Sequence, residues 1–198
     1  MPDAKSKLVK GGKVVLNPIN IRFQKLQFDD LPLMEQWLNT DFVTEWYSGE
    51  PTSLEGIREY YGPLIEGQDP TQAFLIIYDT TPIGYIQTYK FRDNPEWYAA
   101  VQTIGEAAGV DLFIGHPDYI HRGLRGFVLK KFLREIVFSQ EEIEICVIDP
   151  EPANKAAIRA YEKAGFTYWK TLPAGTYPNE PEGYWMKVSR AEFLANPD

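Results

Sequence analysis

The sequence predicts a mixed α/β layer fold with one central sheet. Segments rich in β-branched and aromatic residues, typical of strands, and amphipathic helical segments follow in the order strand, two helices, three strands, helix, strand, helix and two strands. The 198 residues are 44% apolar and 14% aromatic, which is enough for one sizeable core. We expect one domain over residues 13–198, preceded by a flexible, polar N-terminus over residues 1–12.

The N-terminal part predicts one strand followed by two helices. Apolar residues alternate with polar ones over 19–23, which is the period of a strand. Asp29 and Asp30 can cap a helix over LPLMEQWLN, and Ser53 can cap a second helix over LEGIREYYGPLI.

The remainder predicts a succession of strands and helices. Strands are expected at six runs of β-forming residues: 73–79, 82–91, 109–115, 143–149, 167–172 and 183–190. A short turn joins the first two of these runs, as in a hairpin, and a polar loop over 92–108 separates the second from the third. Helices are expected over FVLKKFL and over ANKAAIRAYEKAGF, and Gly165 ends the latter helix.

Charge and cysteine content restrict the class of protein. The formal net charge of -8 disfavours nucleic acid and anionic membranes as partners. Cys146 is the only cysteine, which excludes an internal disulfide and favours a reducing compartment. The first residues lack the apolar core of a signal peptide, and no apolar run reaches the ~18 residues of a membrane span. We expect a cytoplasmic monomer or homodimer.

A glycine- and arginine-rich loop lies between a predicted strand and a predicted helix. Arg122, Gly123, Arg125 and Gly126 follow His121 in this loop. The first amides of a helix lack partners within the helix and favour an anion, and glycine permits close backbone approach. The pattern fits a phosphate site, or else a capped helix with solvated basic residues. The motifs G-x-x-x-x-G-K-[ST] and G-x-G-x-x-G do not occur, which disfavours an NTP or NAD.

The segments VDLFIGHPDYIHRGLRGFVLKKFL and IDPEPANKAAIRAYEKAGF together resemble the acetyl-CoA core of the GNAT superfamily of N-acetyltransferases. The nearest likeness is to the aminoglycoside 6'-N-acetyltransferase branch. In the family's loop, [Q/R]-x-x-G-x-[G/A], Gly123 fits the first glycine. Ile120 and Arg125 depart from the pattern, and Gly126 follows one place later. The second motif, N-x-x-A-x-x-x-Y-E-K-x-G-F, fits from Asn154 onward.

The resemblance implies an α/β fold with a single mixed, mostly antiparallel central sheet and helices on both faces. It also implies acetyl-CoA as the cofactor. It implies that the strand at 110–114 splays from the strand at 143–149, that the pantetheine arm lies in the gap and that the pyrophosphate sits on the amides of 122–126. Asn154 is then a contact of the cofactor arm, a helix cap, or both. The implied cofactor-binding residues are Leu112, Phe113, Ile114, Arg122, Gly123, Leu124, Arg125, Gly126, Asn154, Ala157 and Tyr161.

Two residues are candidates for catalysis. Asp111 lies in the apolar run GVDLFIG, where an unpaired carboxylate is costly. The resemblance implies that it faces the acceptor amine as a base or a positioning anion; the alternative is a salt bridge with an arginine. The resemblance also places Tyr161 near the thioester sulfur, where its hydroxyl can hydrogen-bond to the departing thiolate or protonate it. The alternative for Tyr161 is a core aromatic residue.

Acidic and aromatic residues elsewhere in the chain suit a cationic substrate. The predicted substrate-binding residues are Glu45, Trp46, Tyr47, Trp97, Glu106 and Asp149, although each can also be a packing or turn residue. His116 and His121 are the only histidines, and their spacing does not indicate a metal site. Cys146, in an apolar strand, is predicted to be a buried filler.

The predicted activity is transfer of acetyl from acetyl-CoA to a primary amine of a small polycation, with the 6'-amine of an aminoglycoside as first choice. An acyltransferase of siderophore or other metabolite amines and hydroxylamines is one alternative. A second alternative, from another class, is a non-catalytic acyl-CoA-binding sensor. The acidic, aromatic segment EWYSGE disfavours a protein N-terminus as the acceptor.

Overall fold

The computed structural model describes residues 8–10, 13–15, 18–48, 50–102, 105–176 and 182–196. Residues 1–7 and 11–12 of the predicted flexible N-terminus therefore lie outside the described residues. Leu8–Lys10 (β1) and Lys13–Val15 (β2) pair as a small antiparallel sheet. The domain boundary near residue 12 stays a prediction.

The central sheet of the described residues has seven strands. They are β3 (Ile21–Lys25), β4 (Gln72–Tyr78), β5 (Thr81–Lys90), β6 (Ala107–Ile114), β7 (Ile145–Ile148), β8 (Thr167–Leu172) and β9 (Gly183–Ser189). Their spatial order is β3-β4-β5-β6-β7-β9-β8. β6 and β7 are parallel, and the other neighbours are antiparallel. The predicted single, mixed, mostly antiparallel sheet is confirmed.

Helices cover both faces of this sheet. They are α1 (Leu31–Leu38), α2 (Asp41–Val43), α3 (Leu54–Glu66), α4 (Pro95–Val101), α5 (Leu124–Phe132), α6 (Lys155–Lys163) and α7 (Arg190–Ala195). A π-helical turn, Thr44–Ser48, continues α2. Ile86 and Leu112 belong to one core cluster, which also contains residues of α5 and α6. Tyr85 and Phe113, one residue away on the same strands, belong to another cluster with α1 and α3, as the two-residue period of a strand requires.

The parallel pair β6 and β7 stays together over only three residue pairs. Pairing runs from Ala107 and Ile145 to Gly109 and Val147, whereas β6 continues to Ile114. The residue at 109 must be small, because a Cβ there would lie 2.3 Å from the ring of Tyr89 on β5. Because the pairing with β7 ends at Gly109, the sheet opens beyond this residue. This opening is the splay that the family resemblance implies.

Local capping agrees with the sequence at the start of α3 and at the end of α6. The Ser53 hydroxyl accepts a hydrogen bond from the Gly56 amide at 3.2 Å at the start of α3. Gly165 follows α6 with a φ of 99°, which is the left-handed conformation of a helix-terminating glycine. Asp30 differs from the prediction, because its carboxylate accepts from the Gln27 amide at 2.9 Å and so caps the short 3-10 turn before α1.

Two predicted segments are corrected. The loop expected over 92–108 contains the helix α4, which begins at Pro95, a residue suited to the first turn of a helix. The last predicted strand, over 183–190, ends at Ser189, where a reciprocal capping box with Glu192 starts α7. Within the part of the chain that the structure describes, no helix has the length and apolarity to cross a membrane.

Candidate active site

A cavity of about 630 Å³ lies where β6 and β7 separate. Val110, Leu112 and Ile114 line it from the side of the sheet that carries α5 and α6. Asp111 and Phe113 line it as well, and their side chains point to the opposite side, which carries α1 and α3. The cavity therefore connects the two faces of the sheet through the gap, so that molecules bound on opposite faces can meet there.

The lining of the cavity is strongly acidic. The carboxylates among the described lining residues are Glu50, Asp111, Asp149, Glu151 and Glu182. Arg125 is the arginine in the same lining. Since low-dielectric walls focus the field of charges in a cleft, this cavity attracts cations, most strongly those with several charged groups.

Asp111 is held by a hydrogen-bonded partner on the neighbouring strand. It lies directly opposite Gln87 of β5, whose Nε2 donates to Asp111 Oδ2 at 2.7 Å. The Tyr85 hydroxyl in turn donates to Gln87 Oε1 at 2.6 Å. The partner that the structure gives Asp111 is thus a glutamine amide rather than the arginine considered from the sequence.

Burial raises the pKa of Asp111, and the hydrogen bond from Gln87 opposes this shift. A carboxyl with a raised pKa binds protons more readily in the folded chain than in the unfolded one. Its ionisation therefore costs stability at pH values above its ordinary range, and this cost disappears in acid. A carboxylate that lines a cavity and lowers the stability of the folded chain is typical of a functional site.

Aromatic side chains form the wall of the cavity on the α3 side. The centroid of the Tyr47 ring lies 4.8 Å from that of Phe113 and 6.4 Å from that of Tyr85, and the ring centroids of Tyr61 and Tyr85 are 5.4 Å apart. Trp46 lines the cavity beside Tyr47. Burial raises the pKa of Tyr47 and of Tyr61, so both phenols stay protonated and can offer hydrogen bonds as well as apolar surface.

On the α6 side of the gap, the second motif places three residues at the cavity. Asn154 caps α6, since its Oδ1 accepts from the Ala157 amide at 3.0 Å. Tyr161 lies two turns further along the helix, is buried and lines the cavity together with Asn154 and Ala157. Burial raises the pKa of Tyr161, and the positive charge of Arg125 opposes this shift. The hydroxyl is therefore protonated, and remains a hydrogen-bond donor, at neutral pH.

The glycine-rich loop turns sharply into α5. Gly123 has a φ of 74° at the N-cap, and a Cβ there would meet no atom within 4 Å. The amides of the first turn, from Leu124 to Gly126, lack intrahelical acceptors. The side chain of Leu124 is buried in the core, so this residue can offer only its backbone. The Arg122 Nε donates to the Asp118 carbonyl at 3.1 Å, which directs this side chain to the loop.

The departure from the family loop pattern has a structural explanation. Gly126 faces α6, where a Cβ would lie 3.1 Å from the Ala160 carbonyl oxygen. Its small size thus permits the two helices to pack closely. Arg125, one residue earlier, lines the cavity, and its positive charge opposes the rise that burial causes in the pKa of Tyr161.

Comparison with known proteins identifies the family. A family model described as "Acetyltransferase (GNAT) domain" matches residues 27–173. The chain belongs to the GNAT family. This acetyltransferase is 30% identical over 164 residues to an aminoglycoside N(6')-acetyltransferase type 1 of Klebsiella pneumoniae, covering 82% of this chain and 80% of the relative. A kanamycin resistance protein of Rhizobium radiobacter is 35% identical over 83 residues, which are 42% of this chain and 73% of that protein.

Solved structures support the same assignment. Aminoglycoside acetyltransferase AAC(6')-Ib, solved in complex with coenzyme A and kanamycin, has a TM-score of 0.78 and 26% identity, covering 90% of this chain and 99% of that chain. The same enzyme with ribostamycin and coenzyme A has a TM-score of 0.79. A spermidine N-acetyltransferase of Vibrio cholerae, at 17% identity and a TM-score of 0.71, shares the fold. The chain is therefore an N-acetyltransferase, as predicted, and the alternative of a non-catalytic acyl-CoA-binding sensor is not supported.

The acetyl donor of this GNAT enzyme is acetyl-CoA, and the residues present fit it. The gap beyond Gly109 exposes backbone groups of β6 that, in an unbroken sheet, would pair with β7. The left-handed turn at Gly123 leads into a helix N-terminus that can receive phosphate. Arg125 adds a cation beside this turn.

Some predicted substrate residues do not reach the cavity. Glu45 is exposed, and among the described residues it is not part of the lining that contains Trp46 and Tyr47. Glu106, at the other end of β6 from the gap, pairs with Arg92 at 3.4 Å. We therefore leave both acids out of the site. Trp97 lies in α4, and its side chain is outside the described residues.

The two histidines and the cysteine lie in three different environments. His116 accepts from the Asp118 amide through Nδ1 at 3.3 Å, and its ring packs edge-on against Tyr119 at 5.1 Å. His121 is exposed, with a positive φ of 58°. Cys146 is buried in the core, as predicted. The described residues contain no cluster of His, Cys, Asp and Glu that could hold a metal ion.

Sequence reasoning missed much of the cavity wall. The lining residues that it did not single out include Glu50, Tyr60, Tyr61, Gln87, Tyr89, Glu151 and Glu182. Glu151 follows Asp149 by two residues, in front of the second motif, and this proximity is the one signal that could have identified it. Glu50 ends the acidic segment EWYSGE, Tyr60 and Tyr61 lie on α3, Gln87 and Tyr89 lie on β5, and Glu182 directly precedes β9. The packing of these separate elements brings them to one cavity.

Proposed function

We propose that this enzyme transfers acetyl from acetyl-CoA to the 6'-amine of an aminoglycoside. The acidic cavity carries this proposal, because its carboxylates lie around a gap that joins the two faces of the sheet. A substrate with several protonated amines gains from each of them, whereas a neutral or anionic acceptor does not. The relatives named for aminoglycoside 6'-acetylation and kanamycin resistance support the same substrate class.

Acetyl-CoA supplies an acetyl group activated as a thioester, and the chain's residues prepare the amine and the leaving group. Asp111 binds the acceptor ammonium and accepts or orients its proton, for which its raised pKa makes it a better base than an ordinary carboxylate. Backbone amides along the open edge of β6, near Leu112 and Ile114, can donate to the carbonyl oxygen as an oxyanion hole does. Tyr161 donates its hydroxyl hydrogen towards the departing sulfur.

The remaining lining residues hold the acceptor. Asp149 follows β7 directly, across the gap from Asp111. We assign Asp149 to a second ammonium group of the acceptor. Trp46 and Tyr47 supply flat apolar surface for the sugar rings.

An acetyl-CoA consumption screen tests the proposed function. We expect turnover with kanamycin and tobramycin, and much weaker turnover with polyamines, amino acids and hydroxylamines at the same concentration. Raised salt should increase KM for the aminoglycosides, because it screens the carboxylates that attract them. Turnover of a hydroxylamine or an amino acid, without turnover of any aminoglycoside at high enzyme concentration, would replace this proposal by metabolite acylation.

Gly123 tests the phosphate-binding role of the loop. We expect Gly123→Val to weaken acetyl-CoA binding measured by calorimetry, because a β-branched residue strains the left-handed backbone that the turn requires. Gly123→Asn is the matched control, since asparagine tolerates this conformation and the space around the position is open. Equal affinities of the folded valine and asparagine variants for acetyl-CoA would contradict this role.

Arg125 tests whether the departure from the family pattern contributes a phosphate contact. We expect Arg125→Ala to lower acetyl-CoA affinity about tenfold, which corresponds to a lost charge-assisted hydrogen bond of roughly 1.4 kcal/mol. Arg122→Ala is the comparison, because the Arg122 side chain is directed to the Asp118 carbonyl. It should change the affinity less. A rise in affinity for Arg125→Ala would show that Arg125 obstructs the site.

A further inference from the structure

We propose that Gln87 and Tyr85 are positioning residues, which fix the Asp111 carboxylate for the acceptor amine. This inference rests on the proposed role of Asp111 and assigns to two further side chains the task of orienting it. The three residues lie on one face of the sheet. Gln87 is paired with Asp111 across β5 and β6, and Tyr85 precedes Gln87 by two residues on β5.

The direction of each hydrogen bond in this chain follows from the charge on Asp111. An ionised carboxylate only accepts, so Gln87 must turn its NH2 group towards Asp111 Oδ2, at 2.7 Å. Its carbonyl oxygen then faces Tyr85, whose hydroxyl donates at 2.6 Å. Without the tyrosine hydroxyl, the amide can flip and present its oxygen to the carboxylate. Tyr85 therefore fixes Gln87, and Gln87 fixes Asp111.

Burial makes this support rigid. Tyr85 is 0% exposed and Gln87 is 7% exposed, so bulk water has little access to the hydrogen bond between them. The Tyr85 ring is packed between Tyr61 at 5.4 Å and Phe113 at 5.7 Å. With Oδ2 held by Gln87, we assign Oδ1 of Asp111 to the acceptor ammonium.

The other ionisable groups near Asp111 do not replace this support. The phenols that interact electrostatically with Asp111 belong to the turn before α3, to α3, to β5 and to α6: Tyr47, Tyr60, Tyr61, Tyr85, Tyr89 and Tyr161. Burial raises the pKa of each, so they stay neutral through the range in which Asp111 titrates. Cys146 on β7 is likewise a neutral thiol, because burial raises its pKa.

The charged groups that line the same cavity are the carboxylates of Glu50, Asp149, Glu151 and Glu182 and the guanidinium of Arg125 on α5. The pKa of Asp111 is set by burial, which raises it, and by the hydrogen bond from Gln87, which lowers it. The neighbour that the structure places in hydrogen-bond contact with Asp111 is Gln87. Loss of this hydrogen bond should therefore raise the pKa of Asp111 further, because the bond stabilises the ionised carboxylate.

The test combines kinetics with a direct titration of Asp111. We expect Gln87→Leu to lower kcat/KM for kanamycin about tenfold at pH 7 and to move the acidic limb of its pH profile upward. Acetyl-CoA affinity should be unchanged. Tyr85→Phe, which keeps the buried ring, should shift the limb in the same direction by a smaller amount. Gln72→Leu and Tyr78→Phe, on β4 and outside the cavity lining, are the matched controls and should leave the profile unchanged.

The titration needs no substrate. In protein labelled with ¹³C at aspartate carboxyl carbons, the Asp111 signal is identified by its loss in Asp111→Asn, and its pKa should rise in Gln87→Leu and in Tyr85→Phe. If the pKa of Asp111 and the acidic limb are unchanged in both folded variants, the positioning role is wrong. If Asp111→Asn itself retains the wild-type kcat/KM, the proposed role of Asp111 fails instead. The two failures are thus distinguishable.

Discussion

Tyr161→Phe is expected to lower kcat roughly 100-fold, the scale of lost general-acid assistance. The substitution keeps the buried ring on α6 and removes only the hydroxyl at the cavity. Because burial raises the pKa of Tyr161, the wild-type hydroxyl is protonated through neutral pH and can donate to the leaving sulfur. The affinity for acetyl-CoA, measured by calorimetry, should change little.

Tyr168→Phe is the matched control, since Tyr168 is an exposed tyrosine of β8 outside the cavity lining. An unaltered kcat across the pH range in Tyr161→Phe would show that Tyr161 is a packing residue. A smaller loss, about tenfold, would fit a hydrogen bond to the sulfur without proton transfer. Arg125→Ala should also raise the pKa of Tyr161, because the guanidinium charge of Arg125 opposes the effect of burial.

Asp111→Asn is expected to lower kcat/KM for the amine by more than about tenfold, or 1.4 kcal/mol in the transition-state free energy. The variant keeps the size and can still accept the hydrogen bond from Gln87. It removes the negative charge to which we assign the binding of the acceptor ammonium and the acceptance or orientation of its proton. Acetyl-CoA should bind as before. Asp149→Asn should act mainly by raising KM, since we assign Asp149 to a distant ammonium group.

The same Asp111 variant should be no less stable than the wild type at neutral pH. Burial raises the pKa of Asp111, so the ionised carboxylate costs free energy of folding at pH 7, and the neutral amide removes that cost. The advantage should disappear in acid, where the wild-type carboxyl is itself protonated. Asp93→Asn, at an exposed position, serves as the control. Full activity in Asp111→Asn, or a large loss of thermal stability at pH 7, would contradict this account.

Local sequence signals were sufficient for most of the fold. The strands have runs of β-branched and aromatic residues that no helix pattern fits, and Ser53 and Gly165 mark helix ends through specific backbone chemistry. The helix α4 was missed because its segment, PEWYAAV, has only seven residues, too few for a helical period to stand out, although Pro95 at its first position is a helix-start signal. The capping box from Ser189 to Glu192 was likewise readable in the sequence before α7.

The candidate site was only partly predictable. Residues within the motif, such as Asn154 and Tyr161, lie at the cavity because one helix carries them all. Gln87 carries no local signal, because its position opposite Asp111 follows from a strand register that single-sequence patterns do not give. Glu45 was included among the predicted substrate-binding residues because it adjoins Trp46. Neighbouring residues of a helical turn, however, point in different directions.

The position of the acetyl group on the product tests the central claim most directly. The enzyme is incubated with acetyl-CoA and kanamycin, and the acetylated nitrogen is located by NMR; an analogue with a hydroxyl at the 6'-position is treated in parallel. The account predicts acetylation at the 6'-nitrogen of kanamycin and no transfer to the analogue. Acetylation of another amine at similar rates on both compounds, or no transfer to either, would contradict it.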